Sequence, residues 1–478
     1  MLFSSTENRV STSRRLVLAG IVFFIYSLSA SATIQLYIIP NIFPQFDLGD
    51  GLIILDSSGF NQLAKAKALE IKEQGWKAWE LRPQNISPVG IASIFYALWS
   101  PKPFSLLPLN SFVHAMSGCI VLWLLSHLFS NRSAIIGSAL FIVNPAAMEW
   151  VAHIHRDGIF ILGNLLVLVC VVQLYRGLEL FNVMTMTWGL LGGVLGTCLV
   201  WVARPYWVPV LLVFVMFGIV FVSTVFFFTR DVTLAKSGQF LCFIIFSMSC
   251  VVFQVWFIKH YGFQFTKFPQ EESSIKLKKT LDELNRDSEN DLNVAIPSAN
   301  GIMALSWERT SWLPYEVEAK FYQMARARQG FLWAGGNTVI DTDVTLDSVG
   351  DFFIYFPRAL QIGLLSPFPE LWQGVGSTPS MTLARKVTGI ATLVFYVCLI
   401  SVLMGIILYR RVPILWLILM FSLMGVLVWT YICPNIGTLL RLRAGFYMLL
   451  ITFGAANMVE MVSVWLSKRQ RHEITHYS

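Results

Sequence analysis

Charge is what this sequence has least of. Asp, Glu, Lys and Arg make up 13% of its 478 residues, against 55% hydrophobic residues and a mean hydropathy of +0.63. A soluble domain of that length needs far more polar surface, so the composition excludes one and indicates a polytopic membrane protein. Cysteine occurs in no useful pattern. Cys119, Cys170, Cys198, Cys242, Cys250, Cys398 and Cys433 lie within apolar runs or at the end of one, at no metal-ligand spacing. They read as small apolar packing residues, with no disulfide framework. Also missing are a Walker loop, a dinucleotide G-x-G-x-x-G, a G-x-S-x-G elbow and an H-E-x-x-H,. Their absence argues against a nucleotide-sugar donor handled by a soluble-type domain. There is no evident internal repeat and no low-complexity tract. The net charge of +7 needs no nucleic-acid partner, because membrane proteins concentrate Lys and Arg in cytoplasmic loops,.

What is present is a series of apolar runs. The first, Leu16–Pro40, follows Ser13-Arg14-Arg15 and resembles a signal peptide, down to Ala30-Ser-Ala32. At about 25 residues it is long enough to span a bilayer, and it reads as a retained helix,. Nine more follow: Leu106–Phe129, Ala134–Val151, Gly158–Leu174, Val183–Val202, Tyr206–Phe228, Phe240–Ile258, Val387–Leu408, Ile414–Ile432 and Phe446–Leu466. The expected fold class is an all-α integral membrane protein of about ten transmembrane helices. Val89–Trp99 is also apolar, but Pro88 and Pro101-Lys102-Pro103 confine it to about a dozen residues, so it reads as an interfacial or re-entrant helix,.

Charge decides the sidedness. With that short segment not crossing and the N-terminus cytoplasmic, the cytoplasmic pieces carry twelve cations: Arg9, Arg14, Arg15, Arg132, Arg176, Arg230, Lys236, Arg410, Arg411, Lys468, Arg469 and Arg471. They carry only Glu7, Glu179, Asp231 and Glu473 in opposition. Letting the segment cross would put most of those cations outside, against the positive-inside bias. The resulting organisation is an N-terminal membrane module over 1–258 with its first external loop at 41–105. An external insert over 259–380 and C-terminal membrane helices over 381–478 complete it. The insert is charged and helix-permissive at Glu271–Leu292 and aromatic-rich at Leu305–Tyr315. At Asp351–Leu360 it reads as a surface helix leading to a proline turn at Leu365–Pro369. A segment this long is usually a lid or an acceptor-binding element.

The stretch Phe46–Gly75 holds three carboxylates in ten residues, Asp47, Asp50 and Asp56. It then enters an amphipathic helix whose apolar positions are Phe60, Leu63, Ala64, Ala68 and Ile71. The run Asp56-Ser-Ser-Gly-Phe60, then Leu63-Ala64 and Gly75, resembles the first external loop of the GT-C glycosyltransferases. That superfamily includes lipid A aminoarabinose transferases and protein O-mannosyltransferases. Near the C-terminus, Asn435-Ile-Gly-Thr438-Leu-Leu-Arg441-Leu-Arg443 resembles the last external loop of bacterial polysaccharide-assembly membrane proteins.

The resemblance implies a general-base role for the loop Asp, which matches Asp56. A carboxylate within hydrogen-bond reach makes an acceptor hydroxyl more nucleophilic. Asp47 and Asp50 are rivals, because a loop Asp also caps helices and forms turns, and Asp56 itself stands close to a capping position before the helix. Family members often carry an acid in the next external loop, which implies that Asp157 of Arg156-Asp157 positions the acceptor or helps to hold a metal. An interfacial ion pair is the bland alternative. Arg156, Arg204, Arg441 and Arg443 are candidates for the lipid phosphate, since a guanidinium holds a departing phosphate by two parallel hydrogen bonds. Snorkelling to headgroups is their alternative role. Gly437 and Thr438 are positioned to offer free N–H groups at a helix start. His153 and His155 read as interfacial polar residues, and Lys259 and Arg358 as weak candidates.

The expected reaction is an inverting glycosyl transfer from a polyprenyl-phosphate donor to a glycan, lipid or protein acceptor. Its setting is a bacterial inner membrane, with membrane lipids around it and the site facing the periplasm. No cofactor is required, and a divalent metal is compatible with the scheme. Two alternatives stand beside it. One is an O-antigen polymerase or ligase with a lipid-diphosphate donor and its key residues in the late loops. The other is a lipid or solute transporter, which tends to show repeated halves and mid-membrane polar groups.

Overall fold

The computed structural model describes residues 6–229, 234–261, 307–376 and 379–477. Among the described residues the structure is helical, with one isolated bridge between Val339 and Asn435 and no strand. In chain order the helices are α1 (Thr6–Thr33, extended through Ile34–Ile42 by wider π-type turns), α2 (Leu55–Gln74), α3 (Ser87–Leu98), α4 (Leu107–Leu125), α5 (Asn131–Val143) and α6 (Pro145–Val151). They continue with α7 (Asp157–Leu180), α8 (Val183–Ala203), α9 (Val208–Thr229), α10 (Leu234–Tyr261), α11 (Tyr315–Ala334), α12 (Val349–Leu365), α13 (Pro379–Tyr409), α14 (Pro413–Ile432), α15 (Ile436–Leu442) and α16 (Ala444–Tyr477). Nine helices among the described residues are long and apolar enough to cross a membrane, and α5 with α6 makes a tenth if that pair, bent by 57°, is one span. This is an α-helical membrane protein.

The chain divides into two compact units. One comprises Met1–Gly262, Pro367–Val426 and Leu440–Ser478, the other Phe263–Ser366 with Leu427–Leu439. The expected Glu271–Leu292 helix lies outside the described residues.

In the first unit, local chemistry sets the helix ends. Asn182 caps α8 by accepting from Thr185 N at 3.1 Å, after α7 closes on Phe181 in the left-handed conformation,. Ser130, which precedes α5, donates its hydroxyl to Glu460 at 2.6 Å and its amide to the same carboxylate at 3.1 Å. One of the few acids in an apolar span is thereby used to fasten α16 to the start of α5. The α7–α8 crossing depends on two glycines: a Cβ at Gly196 would lie 2.6 Å from the Gly163 carbonyl oxygen, and one at Gly163 would lie 2.8 Å from that of Gly196. Lipid tails are as apolar as side chains, so close backbone packing holds such helices together.

The second unit is organised by polar networks. Asp341 accepts Arg358 in bidentate fashion at 3.0 and 2.8 Å and the Tyr355 hydroxyl at 2.8 Å. A reciprocal capping box between Ser348 and Asp351 starts α12,. Arg358, a weak candidate for phosphate, is thus committed to an internal ion pair.

Gly196→Ala should cost about 1–3 kcal/mol, because the nearest atom a methyl group meets there is a backbone oxygen, which cannot swing away as a side-chain tip can,. Gly192→Ala, whose Cβ meets only Leu166 O at 3.8 Å, should be neutral. Thermal unfolding of the two variants in nanodiscs checks the difference.

Candidate active site

The helical path bends by 57° between α5 and α6 and breaks again after α6, and the site grows out of that second break. Asn144 caps α6 through Ala146 N at 3.2 Å, α6 ends at Val151, and the chain stays non-helical until Asp157 opens α7. Buried peptide groups that lose their helical partners must find others. Asn110 of α4 donates to the carbonyls of Val151 at 3.2 Å and His153 at 2.9 Å. Gln35 donates to Ala152 O at 2.6 Å. Ser57 donates to Ile154 O at 3.3 Å and accepts from Ile154 N at 2.9 Å. His153 accepts the Ile53 amide on Nε2 at 3.3 Å, which assigns its proton to Nδ1, 2.9 Å from Glu149 O,. Burial pushes this imidazole down to about 4. His153 is thus a neutral pin between the first loop and the break.

The same loop accounts for two of its three acids. Asp47 accepts the amides of Gly49 at 2.8 Å and Gly51 at 3.1 Å, closing a turn,. Gly51 is required there: its φ is +74°, and a Cβ would fall 1.9 Å from Gln35 O. Asp50 pairs with Lys65 at 2.6 Å and accepts from Asn61 at 3.2 Å, while Tyr96 donates to Asn61 Oδ1 at 2.7 Å. Burial opposes its charge, but the Lys65 and Asn61 hydrogen bonds outweigh that and hold the Asp50 carboxyl below its ordinary value. Asp56 differs from both. It stands inside the first turn of α2, and not in the loop before the helix, because the helix starts at Leu55 instead of Phe60. The buried stripe of α2 is Ala64, Ala68 and Ile71, whereas Leu63 is exposed.

Four segments distant in sequence, that of Asp56 among them, meet here. Asp157, 2% exposed, has Oδ1 bonded to Arg204 Nη2, while its Oδ2 lies 2.9 Å from His155 Nδ1 and 3.5 Å from Arg441 Nε. Arg441 Nη1 lies 3.3 Å from His155 Nε2 and 3.7 Å from Asp56 Oδ2. A guanidinium only donates, so Nε2 of His155 accepts and its proton sits on Nδ1, facing Asp157. Asp157 also benefits from its place in the first turn of α7, where the helix dipole favours an anion,. Exposure is graded across the group. The Asp56 side chain is 57% exposed, that of Arg441 20%, and Asp157 and Arg204 are sealed.

The sequence-derived candidates therefore separate. Asp56, Asp157, Arg204 and Arg441 come together. Arg156 is half-buried beside them, and burial and the like charge of Arg204 pull its guanidinium below its ordinary value. Arg443 does not join the group: it is 1% exposed, with its guanidinium 4.5 Å from the centre of the Tyr447 ring, and burial pushes it down to about 10. Arg441 lies in the last turn of α15 and Arg443 just beyond its end at Leu442, so these residues two apart project to different sides,. Gly437 and Thr438 do not offer free N–H groups. Thr338 Oγ1 takes the first at 3.3 Å and Asn435 Oδ1 the second at 3.3 Å.

No protein-family model, curated protein or solved structure matches the chain.

A divalent metal fits that geometry poorly. The Asp157 oxygens are already occupied by cationic and imidazole partners, and among the described residues no three His, Cys, Asp or Glu side chains are grouped to hold a metal. Three residues that the sequence pattern passes over belong here. His155 carries the signal of His-x-Asp spacing, which puts both side chains on one side of an extended segment. Glu149 lies within electrostatic reach of His155, Arg441, Asp157 and Asp56. Arg82, whose guanidinium lies 5.4 Å from the Trp201 ring centre, is pulled below its ordinary value by burial and by Arg156.

Ser57→Ala should speed hydrogen exchange at the Ile154 amide and cost about 1–3 kcal/mol, by leaving a buried peptide without a partner. His153 generates a pH prediction. Its folded-state value of about 4 lies below the ordinary 6.5, so the unfolded chain binds the extra proton first,. This contribution is complete above the unfolded value and is lost as pH falls from there towards about 4. His153→Gln should flatten the melting-temperature profile across that window.

Proposed function

We propose that this protein is a membrane glycosyltransferase that moves a sugar from a polyprenyl-phosphate donor to a hydroxyl of a glycan, lipid or protein acceptor. The reading includes the resemblance to GT-C enzymes and a site on the periplasmic face of a bacterial inner membrane. The observation that carries it is the meeting of an open carboxylate, Asp56, with a partly open guanidinium, Arg441, above a sealed Asp157–Arg204 pair. The helix ends around that group belong to apolar spans, which brings a prenyl tail within reach of charge.

The chemistry follows from these positions. Asp56 accepts the proton of the acceptor hydroxyl as its oxygen attacks the anomeric carbon from the face opposite the phosphate. The anomeric C–O bond to phosphate breaks with inversion, and the polyprenyl phosphate leaves with the electron pair. Arg441 stabilises the growing negative charge, and half-buried Arg156 adds to the field. Arg441 stands 3.7 Å from Asp56, so the cation and the base lie side by side where the phosphate and the acceptor hydroxyl meet. Asp157 and His155 orient Arg441, and Arg204, being sealed, serves as counter-ion to Asp157 and not as a phosphate ligand. Arg443 has no part in this scheme.

The test uses the full chain reconstituted in nanodiscs, supplied with lipid-linked sugars extracted from bacterial membranes, with labelled sugar transfer as the readout. Asp56→Asn should reduce transfer by about 10²–10⁴ while leaving polyprenyl-phosphate binding intact. Arg441→Gln should weaken both. Full transfer by Asp56→Asn with loss in Arg441→Gln would move the reading to a lipid-diphosphate polymerase. Full transfer by both would overturn the site.

A further inference from the structure

A second feature of the first unit lies away from the acids and arginines described above. A groove of about 620 Å³ runs along α1, α4 and α7, with Leu16, Phe24, Phe112, Trp123 and Gln173 among the residues that line it. Its walls are almost wholly apolar. On α4 it extends from Phe112 to Trp123, which at about 1.5 Å per residue is about 16 Å,. That is about half of a hydrocarbon core roughly 30 Å thick, the depth of one leaflet. The groove therefore has the length of one lipid chain and not of a bilayer.

Its polar features gather at one end. Arg14 and Arg15 immediately precede Leu16. Arg176 follows Gln173 on α7, with its guanidinium 5.9 Å from the centre of the Trp123 ring. Against these three cations stands Glu179, one turn further along α7. Inside the groove, Gln173 Oε1 is buried with no hydrogen-bond partner among the described residues. A buried amide oxygen of this kind calls for a donor from outside the protein. One occupant satisfies all of these features: an apolar tail about one leaflet long, a hydroxyl or amide donor near the glycerol level, and a negative head.

We propose that this groove holds one acyl chain of an acidic glycerophospholipid, from the leaflet at the N-terminal end of α1. Its phosphate lies among Arg14, Arg15 and Arg176, and a headgroup or glycerol donor faces Gln173. The site is independent of the glycosyl-transfer reading and serves to tie α1 to α4 and α7 through a lipid. Arginine near an anionic lipid surface gives the selectivity, at about fivefold per residue.

Native mass spectrometry of the delipidated full chain, titrated with phosphatidylglycerol, phosphatidylcholine or a polyprenyl phosphate, tests this. Phosphatidylglycerol should be retained well above phosphatidylcholine, and Arg176→Gln should reduce that preference by about fivefold. Arg14→Gln with Arg15→Gln should reduce it further, and as exposed positions they test the charge contribution without touching the groove. Met116→Trp, which fills the groove, should lower retention of both glycerophospholipids. Equal retention of the two, or a phosphatidylglycerol preference unchanged in the Arg variants, overturns the proposal. So does polyprenyl phosphate displacing phosphatidylglycerol at equal concentration, which would make the groove a donor-tail site.

Discussion

A helix that stops inside an apolar bundle leaves peptide groups that neither water nor lipid can satisfy, and the first unit is built around that problem. Between Val151 and Asp157 the backbone carbonyls and amides find partners in Gln35, Ser57 and Asn110, while His153 binds the Ile53 amide. Each partner comes from a different place: the end of the first span, the start of α2, and α4. Satisfying the break therefore fixes the first loop against it in one register. Ser57 is adjacent to Asp56, and Ile154 is adjacent to His155. The clamp that closes the backbone deficit thus also sets an acid beside an imidazole and a guanidinium.

Electrostatics then divides the charges by depth. A carboxylate as buried as Asp157 is tolerable only with cations on its oxygens. Arg204 and Arg441 fill that role, with the His155 imidazole beside them, so a sealed acid becomes the fixed point from which the reach of Arg441 is measured. Asp56 alone of the loop carboxylates is left open, because Asp47 is taken by amides and Asp50 by Lys65. An open carboxylate and a partly open guanidinium thus stand at one spot, held in place by sealed groups.

Much of the fold was legible from periodicity and length, because a bilayer admits few solutions. Runs of apolar residues about as long as the hydrocarbon core had to be helices, and the proline-bounded Val89–Trp99 had to be a short one, observed as Ser87–Leu98,. Less of the site was legible. Asp56, Asp157 and Arg441 stood out as charges in places poor in charge. The spacing of Arg441 and Arg443 misled, because two arginines read as a pair are split by the turn of α15. Gly437 and Thr438 misled for a related reason. The Gly437 amide is consumed by Thr338, a contact across a long stretch of chain that leaves no local trace, and the Thr438 amide by the side chain of nearby Asn435.

The sequence by itself determined that this chain crosses membranes, about how many times, and which residues carry charge where charge is scarce. Those are properties of composition and local period, and they act residue by residue. Only the tertiary structure decided which of three neighbouring acids stays available, that Arg204 is sealed while Arg441 is not, and that His155 and Arg82 belong near the site. Apart from the local turn that occupies Asp47, those outcomes depend on contacts between residues tens to hundreds of positions apart, and such contacts are settled by packing.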